Sequence, residues 1–218
     1  IYVTDIFSYR SCCANSVHIF NINLNKYSIY VRRLDMSFKL ETDRLILKIE
    51  DDTAAQQVLD FYMRNREQFE RFEPTRPKNF YTLAYQIAAL TYEYHEIIKG
   101  NTLRYYVYTK EQPDILIGSV NFSNFMHHPF SRTSIGYKFD KEAQGHGYAY
   151  EACQAAIPVI FSNYRIHRIE ARVAPDNLPS IRLLERLHFL YEGIEYQGVE
   201  IQGVYKDHYR YGLISTIQ

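Results

Sequence analysis

The sequence predicts a mixed fold of helices and strands, α/β or α+β, whose first strands are antiparallel. From residue 36 onward, segments with helical apolar spacing alternate with short segments rich in β-branched and aromatic residues. Three of these strand segments, LRYYVYT, ILIGSVNF and RTSIGYKF, follow one another along the chain. Gln112-Pro113-Asp114 separates the first two and is typical of a turn, so the pair is expected to form a hairpin.

Two helices are predicted ahead of these strands. A strand over residues 44–49 leads to Asp51-Asp52-Thr53, which are residue types that cap helix N-termini. A helix is therefore expected from there to about residue 72. A second helix is expected over about 82–99, because the Gly100-Asn101 that follows is a typical helix stop.

A third helix is predicted in the second half of the chain. Apolar residues recur there at i, i+3, i+4 and i+7 spacing, which describes one continuous apolar face and indicates core packing. The members are Ala149, Ala152, Cys153, Ala156, Ile157, Ile160 and Phe161. Because Cys153 belongs to this face, it is interpreted as a core residue and not as a nucleophile.

The segment AQGHGYAYEA, residues 143–152, precedes this helix and is suited to hold a phosphate. Glycines at 145 and 147 allow a sharp turn and a close backbone approach, and the first N–H groups of a helix attract negative charge. A P-loop is excluded because Tyr148-Ala149 stands where Lys and Ser or Thr are required. A dinucleotide fingerprint lacks its third glycine. The remaining pattern is Gln-x-x-Gly-x-Ala, and a turn without a ligand is its alternative.

Composition narrows the class of protein. Lys plus Arg (25) equals Asp plus Glu (25), so no overall field draws the chain to nucleic acid or to an anionic membrane. No apolar run long enough to span a membrane and no signal peptide is visible, so a cytoplasmic protein is expected. The 21 tyrosines, including those of LRYYVYT, are interpreted as half-buried strand packing and not as an acceptor channel.

Residues 1–35 differ from the rest of the chain. They begin without methionine, show no sustained periodicity and are rich in Ile, Tyr, Asn and Ser. Met36 then opens a segment typical of an amino terminus, and Arg32-Arg33 has the position that a ribosome-binding site read as protein would have. We expect residues 1–35 to be an extension that is not native or is disordered, and 36–218 to be the folded domain. A genuine extension with its own strand is the alternative.

From about Leu40 to Ile214 the chain resembles the GNAT superfamily of N-acetyltransferases, and within it the Rim-type (RimJ/RimL-like) branch. The resemblance depends on the order and spacing of LETDRLILK, IGSVNF, SIGYKFD, AQGHGYAYEA, RIEARVAPDNLPSIRLLERLHF and EGIEYQGVEIQGVYKDHYRYGLI. It implies the GNAT fold, α+β with a mostly antiparallel, splayed central sheet flanked by helices. It also implies acetyl-CoA as co-substrate and no metal.

The resemblance further implies which residues hold acetyl-CoA. The backbone at Phe139, where the family splays two strands, would bind the pantetheine arm. Backbone amides of the loop would hold the pyrophosphate, and these belong to Gln144, Gly145, His146, Gly147, Tyr148 and Ala149. Asn177 matches a family position near the pantetheine, and it is also a good helix cap. His146 stands where the family commonly has Lys or Arg, so it is expected to weaken a phosphate contact or to be a solvated loop residue.

Three residues are candidates for catalysis. An α-amine with a pKa of about 8 must lose a proton before it attacks a thioester, so a general base is expected. Ser180 matches the serine that the Rim-type pattern uses as proton donor to the thiolate. Glu200 lies near the family's glutamate base but one position out of register, which on a strand reverses the face. Glu170 is the second candidate base, and an ion pair with Arg168 or Arg172 is its structural alternative.

The resemblance thus implies direct transfer of acetyl to a primary amine in a ternary complex, with a protein N-terminal α-amine as the expected acceptor. A small-molecule amine (polyamine, amino acid or antibiotic) and a non-catalytic acetyl-CoA-binding module are the alternatives. The expected partners are acetyl-CoA and the amine, with no direct contact to nucleic acid or membrane, and the protein is expected to be a monomer or a homodimer.

Overall fold

The computed structural model describes residues 38–216, and the predicted extension, residues 1–35, lies outside them. The chain forms one eight-stranded sheet with helices on both faces. The strands are β1 (Lys39–Glu41), β2 (Leu45–Lys48), β3 (Leu103–Thr109), β4 (Leu116–Met126), β5 (Arg132–Phe139), β6 (Arg168–Val173), β7 (Leu190–Ile201) and β8 (Val204–Ile214). The helices are α1 (Ala55–Arg64), α2 (Arg66–Glu70), α3 (Leu83–Ile98), α4 (Tyr148–Ser162) and α5 (Leu178–Arg186), with 3₁₀ turns at Asp52–Ala54 and Lys141–Ala143.

The strand order is β1-β2-β3-β4-β5-β6-β8-β7. Every neighbouring pair is antiparallel except β5 and β6, which are parallel and are joined by the crossover through α4. The predicted β3–β4 hairpin is present, and β7 and β8 form a second hairpin. This arrangement confirms the predicted α+β class with a mostly antiparallel sheet.

The single parallel pairing is short. β5 and β6 are in register only from Arg132↔Arg168 to Ser134↔Glu170. Beyond that point β5 pairs with β4 alone as far as Phe139, while β6 pairs with β8 alone as far as Val173. The two strands therefore diverge toward their carboxyl ends, and backbone groups that a continuous ladder would use face the opening.

Successive side chains of a strand point to opposite faces of the sheet, and each face carries its own hydrophobic core. On β3, Tyr105 and Val107 join the larger core with α4 and α5, whereas Tyr106 and Tyr108 join a second core with α1–α3. All four side chains are buried. The expectation of half-buried tyrosines in LRYYVYT is therefore wrong, because helices cover β3 on both faces.

The first predicted helix is interrupted. Asp51 caps its start as expected, with Oδ1 accepting the Thr53 N–H at 3.0 Å. The helix then breaks at Asn65 instead of running unbroken to residue 72. The buried Asn65 side chain donates to the Phe61 carbonyl at 2.9 Å and accepts the Lys141 N–H at 3.1 Å. This side chain therefore ties the α1–α2 junction to the segment that follows β5.

Helix α5 ends in a Schellman motif that has His188 at the left-handed position. The His188 N–H donates to Glu185 O and the Phe189 N–H to Leu184 O, both at 3.0 Å, and the φ of His188 is 65°. Helix α3 ends in the same way, but with Gly100 at a φ of 77°. The side chain of His188 therefore makes its backbone conformation costly, whereas Gly100 adopts the same conformation without strain.

His188→Gly is expected to raise the free energy of unfolding by roughly 0.5–1 kcal/mol, because relief of left-handed strain outweighs the added freedom of the unfolded chain. Urea denaturation measures this change. Gly100→Ala is the matched control and is expected to destabilise the protein by a similar amount. A destabilising His188→Gly substitution would contradict the assignment of strain.

Candidate active site

A glycine-containing loop connects the end of β5 to the first turn of α4. Gly145 and Gly147 have φ angles of 81° and 80°, a left-handed conformation that other residues adopt only at a cost. The helix begins directly after Gly147, whose carbonyl accepts the Glu151 N–H at 3.1 Å. No side chain caps this N-terminus. The first amides of α4 therefore point out of the helix end, where they favour an anion.

The β1–β2 turn holds this loop from behind. The Glu151 carboxylate in the first turn of α4 accepts Thr42 Oγ1 at 2.5 Å, Arg44 Nε at 2.8 Å and the Arg44 N–H at 3.1 Å. Arg44 Nη1 also donates to the His146 carbonyl at 3.0 Å. Burial raises the pKa of Glu151, but the hydrogen bonds from Thr42 and Arg44 outweigh it and hold this pKa below its usual value. Arg44 thus connects the helix to the loop.

Aromatic contacts complete the outer side of the loop. The Arg44 guanidinium lies 4.7 Å from the centre of the Tyr148 ring. The His146 ring stacks on Tyr148 at 5.6 Å between centroids and an interplanar angle of 14°. Its Nδ1 lies 3.0 Å from the Gln144 carbonyl oxygen. His146 is exposed and packs within the loop.

Two cavities meet at this loop. The smaller, of about 220 Å³, is lined by residues of the loop and of α5, among them Phe139, Gly147, Arg182 and Arg186. The larger, of about 490 Å³, lies between α1–α2 and the segment 176–179. Gln144 lines both. A ligand in the smaller cavity can therefore reach a ligand in the larger one past Gln144.

The end of β5 forms the floor where the cavities meet. The Phe139 carbonyl accepts Gln68 Nε2 at 3.2 Å and Gln144 Nε2 at 3.4 Å. The Phe139 ring lies directly on Gly118 of β4, where an added Cβ would be 2.4 Å from the ring. Only glycine at 118 therefore allows this ring position.

Asn177 and Ser180 lie at the start of α5. The Asn177 Oδ1 accepts the Ser180 N–H at 3.3 Å, so Asn177 is a helix cap, and it also lines the larger cavity. Ser180 is fully buried, and its carbonyl accepts the Tyr137 hydroxyl at 3.3 Å. Tyr137 belongs to β5, so this bond links α5 to the strand that bounds the opening.

The two candidate bases are not placed together at the opening. Glu170 belongs to the paired section of β5 and β6, and it lies 2.9 Å from Arg168, 3.4 Å from Arg132 and 3.9 Å from Arg210. Burial raises its pKa, but the Arg168 hydrogen bond and the arginine charges outweigh burial and lower it. Glu200 is exposed on β7, between two buried neighbours. Glu200 therefore lies on the outer face of the hairpin.

Comparison with known proteins decides the family. The sequence model described as "Acetyltransferase (GNAT) domain" matches residues 44–190. The chain belongs to the GNAT acetyltransferase family. It is an acetyl-CoA-dependent N-acetyltransferase of the GNAT/Rim type, which confirms the resemblance and the GNAT fold predicted from the sequence.

Three proteins show how far the similarity of this chain extends in sequence and in structure. The [ribosomal protein uS5]-alanine N-acetyltransferase of Escherichia coli is 33% identical over 172 residues, which is 78% of this chain and 87% of the relative. The ribosomal-protein-S5-alanine acetyltransferase structure from Vibrio fischeri has a TM-score of 0.79 at 26% identity and covers 83% of this chain and 98% of its own. Mycobacterium smegmatis RimJ in complex with CoA-disulfide has a TM-score of 0.74 at 22% identity, with 80% and 84% covered.

Sequence reasoning missed three residues that shape the GNAT site. Gly118 was visible as an isolated glycine inside a strand, a pattern that marks close approach of another group. Gln68 and Arg44 carry no local signal, because their partners lie 71 residues away at Phe139 and 107 residues away at Glu151.

Arg44→Gln is expected to weaken acetyl-CoA binding about five- to tenfold, because it removes the guanidinium donors that orient the loop. The effect is moderate because the Arg44 side chain is partly exposed to solvent. S-acetyl-pantetheine lacks the pyrophosphate, so its KM is expected to stay unchanged. Steady-state kinetics with the two donors measures the difference. Arg66→Gln is the control, since Arg66 pairs with Glu70 at 3.0 Å on α2 and stacks on Tyr81, away from the loop. Equal losses with both donors would exclude a role in holding the pyrophosphate.

Proposed function

We propose that this GNAT protein acetylates the N-terminal α-amine of a protein, as a ribosomal-protein-alanine acetyltransferase does, by direct transfer in a ternary complex. The observation that carries the proposal is the meeting of two cavities at Gln144, above the opening between β5 and β6. One cavity has the phosphate loop and suits the donor. The other is open to solvent between helices and suits the end of a polypeptide. The names of the Escherichia coli and Vibrio fischeri relatives support this acceptor.

In this proposal the donor lies along the smaller cavity. The amides from Gln144 to Ala149 bind the pyrophosphate, and the Arg182 and Arg186 guanidinium groups add positive charge on the α5 side. The pantetheine arm follows the backbone of β5 at Phe139 and passes Asn177. The complexes of relatives with CoA and acetyl-CoA support this donor.

The charge of the larger cavity supports a protein terminus over a polyamine. Three cations, Arg64, Arg71 and Lys141, line it with two anions, Glu67 and Asp176. Arg71 and Asp176 lie 3.3 Å apart across the opening of this cavity. Because Arg64 is itself paired with Asp140 at 2.5 Å, the lining has no excess of negative charge to attract a polycationic acceptor, whereas a peptide presents one amine followed by neutral backbone. We therefore rank small polyamines below peptides as acceptors.

Acetyl transfer requires the protein to position two substrates and to move protons. The amine attacks the thioester carbonyl carbon, and the CoA thiolate leaves and takes a proton. In the proposal Ser180 supplies that proton from the start of α5. Cys153 forms no acyl intermediate, because it packs in the larger apolar core, where burial raises the pKa of its thiol and disfavours the reactive thiolate.

The proposal places the protein in the cytoplasm, with its ribosomal acceptor. Among residues 38–216, no helix has the length and hydropathy needed to cross a bilayer. The same residues contain no group of three or more His, Cys, Asp or Glu side chains arranged to hold a metal ion.

Mass spectrometry of acetylated products tests the proposed function. The full chain with acetyl-CoA is offered peptides beginning with Ala, Ser or Met, together with spermidine, free amino acids and an aminoglycoside. Acetylation of a peptide α-amine with the highest kcat/KM is expected. Preference for a small amine would replace the proposed acceptor, and acetyl-CoA binding without any product would indicate a non-catalytic module.

Ser180→Ala is expected to lower kcat about 10²-fold, because it removes the proposed proton donor, with acetyl-CoA affinity little changed. The matched control is Ser162→Ala at the end of α4, where an exposed hydroxyl donates to the Pro158 carbonyl at 2.7 Å. Turnover by Ser180→Ala at the rate of the control would remove Ser180 from the proton path.

A further inference from the structure

A buried histidine on β8 has no role in the site described so far. His208 is 1% exposed. Its Nδ1 lies 3.2 Å from the Lys206 carbonyl oxygen, which only accepts, so Nδ1 carries the hydrogen of the neutral ring. Within residues 38–216, Nε2 makes no hydrogen bond. The lone pair on this nitrogen is therefore not engaged by any group of the described chain.

The register of β6 and β8 shows which face of the sheet carries the His208 side chain. The last pair of this ladder is Val173↔Tyr209, and both side chains pack in the core with α4 and α5. His208 precedes Tyr209, so its side chain points to the opposite face of the sheet, the face on which α1–α3 pack against β3. Its position lies just beyond Val173, at the end of β6, which no longer pairs with β5 there.

The β7–β8 hairpin closes over this position. Gln202 at its tip donates to the Glu70 carbonyl of α2 at 2.9 Å. Val199 and Ile201 on β7 are buried, and the pair Val199↔Lys206 places Val199 on the same hairpin face as His208. The imidazole thus lies on the inner face of a hairpin that reaches from the opening of the sheet to α2.

We propose that His208 is the general base that accepts the proton of the acceptor amine, an inference that rests on the proposed acetyltransferase function. Nε2 takes one proton from the ammonium group and passes it to solvent. The freed nitrogen lone pair forms the C–N bond at the thioester carbon, the C–S bond breaks, and its electrons leave on sulfur. Ser180 protonates the thiolate, and the second proton lost by nitrogen restores the Ser180 hydroxyl, which gives amide and CoA thiol.

The surroundings keep the imidazole neutral and ready to accept a proton. Burial lowers the pKa of His208, with the charges of Arg172 on β6 and Lys206 on β8 acting in the same direction. The Lys206 carbonyl and the Glu195 carboxylate on β7 raise it and only partly offset burial. The net direction is below the ordinary value, so the neutral form predominates at pH 7. Protonation as the pH falls removes the base.

The two glutamates expected from the sequence are less suited to this role. Glu200 pairs with Tyr205 in the ladder, and both side chains are exposed on the outer face of the hairpin. Glu170 accepts from Arg168 and lies within 4 Å of two further guanidinium groups, which hold its pKa low and stabilise its ionised form. A carboxylate stabilised in this way is a weak base.

His208→Gln tests the inference. On a peptide with an ordinary α-amine, kcat is expected to fall about 10²-fold, and the acid limb of the kcat/KM profile is expected to move up to the ionisation of the free amine, whose pKa is about 8. Acetyl-CoA affinity and thermal unfolding are expected to match wild type, which separates loss of the base from loss of the fold. An aminooxyacetyl peptide has a terminal nitrogen that is unprotonated at neutral pH. With this acceptor, the loss of kcat caused by His208→Gln is expected to be about tenfold smaller than with the ordinary peptide.

Substitutions of two residues near His208 test the inference even if His208→Gln does not fold. Glu195 and Arg172 lie 2.7 Å apart, and they act on His208 with opposite sign. Glu195→Gln is expected to move the acid limb to lower pH, and Arg172→Gln to higher pH, each by roughly half to one unit. An acid limb unmoved by both variants would overturn the assignment.

The outcomes separate this inference from the proposed function. If wild type acetylates peptides and His208→Gln keeps its rate and its acid limb, His208 is not the base and the acetyltransferase function stands. If the wild-type chain yields no acetylated amine at all, the proposed function fails, whatever the His208 variants show.

Discussion

The site depends on one constraint, which is that β5 and β6 pair over only three residues and then separate. Parallel strands in a continuous sheet would exchange hydrogen bonds along their whole length, and there would be no space between them. Here each strand instead continues along its outer neighbour, β4 or β8. The opening combines strand edges that no neighbouring strand occupies with access to both faces of the sheet. Donor and acceptor can therefore approach one point from opposite sides.

The elements around the opening hold it in place through contacts distant in sequence. The β1–β2 turn holds the first turn of α4 through Glu151, and Asn65 holds the segment after β5. The β7–β8 hairpin reaches α2 through Gln202. Each contact fixes a loop that would otherwise lose conformational entropy on binding a ligand, so the protein supplies a site that is largely ordered beforehand.

Local features of the sequence predicted local features of the structure. The Asp51 cap, the Gly100 stop and the apolar face of α4 depend on neighbours a few residues apart, and all three are as expected. The loop at Gly145 and Gly147 was predicted for the same reason, because positive φ angles and a helix start are read from adjacent residues. Resemblance to the GNAT family supplied what local rules could not, namely the opening between β5 and β6.

Features set by tertiary contacts were not predictable in this way. The break at Asn65 depends on a bond to Lys141, and the burial of the β3 tyrosines depends on helices packing on both faces. The outward direction of Glu200 follows from the hairpin register, which the one-residue offset in the sequence had already suggested. His208 gave no signal at all, because its position beside the opening depends on the pairing of β8 with β6.

Hydrogen exchange of the whole protein, with and without acetyl-CoA, tests most directly whether the loop and the splayed strand form the donor site. We expect slower amide exchange in peptides covering residues 136–149 on addition of acetyl-CoA, with no change on addition of NAD. Tight binding of acetyl-CoA that leaves these amides unchanged, or equal protection by NAD, would contradict this assignment of the donor site.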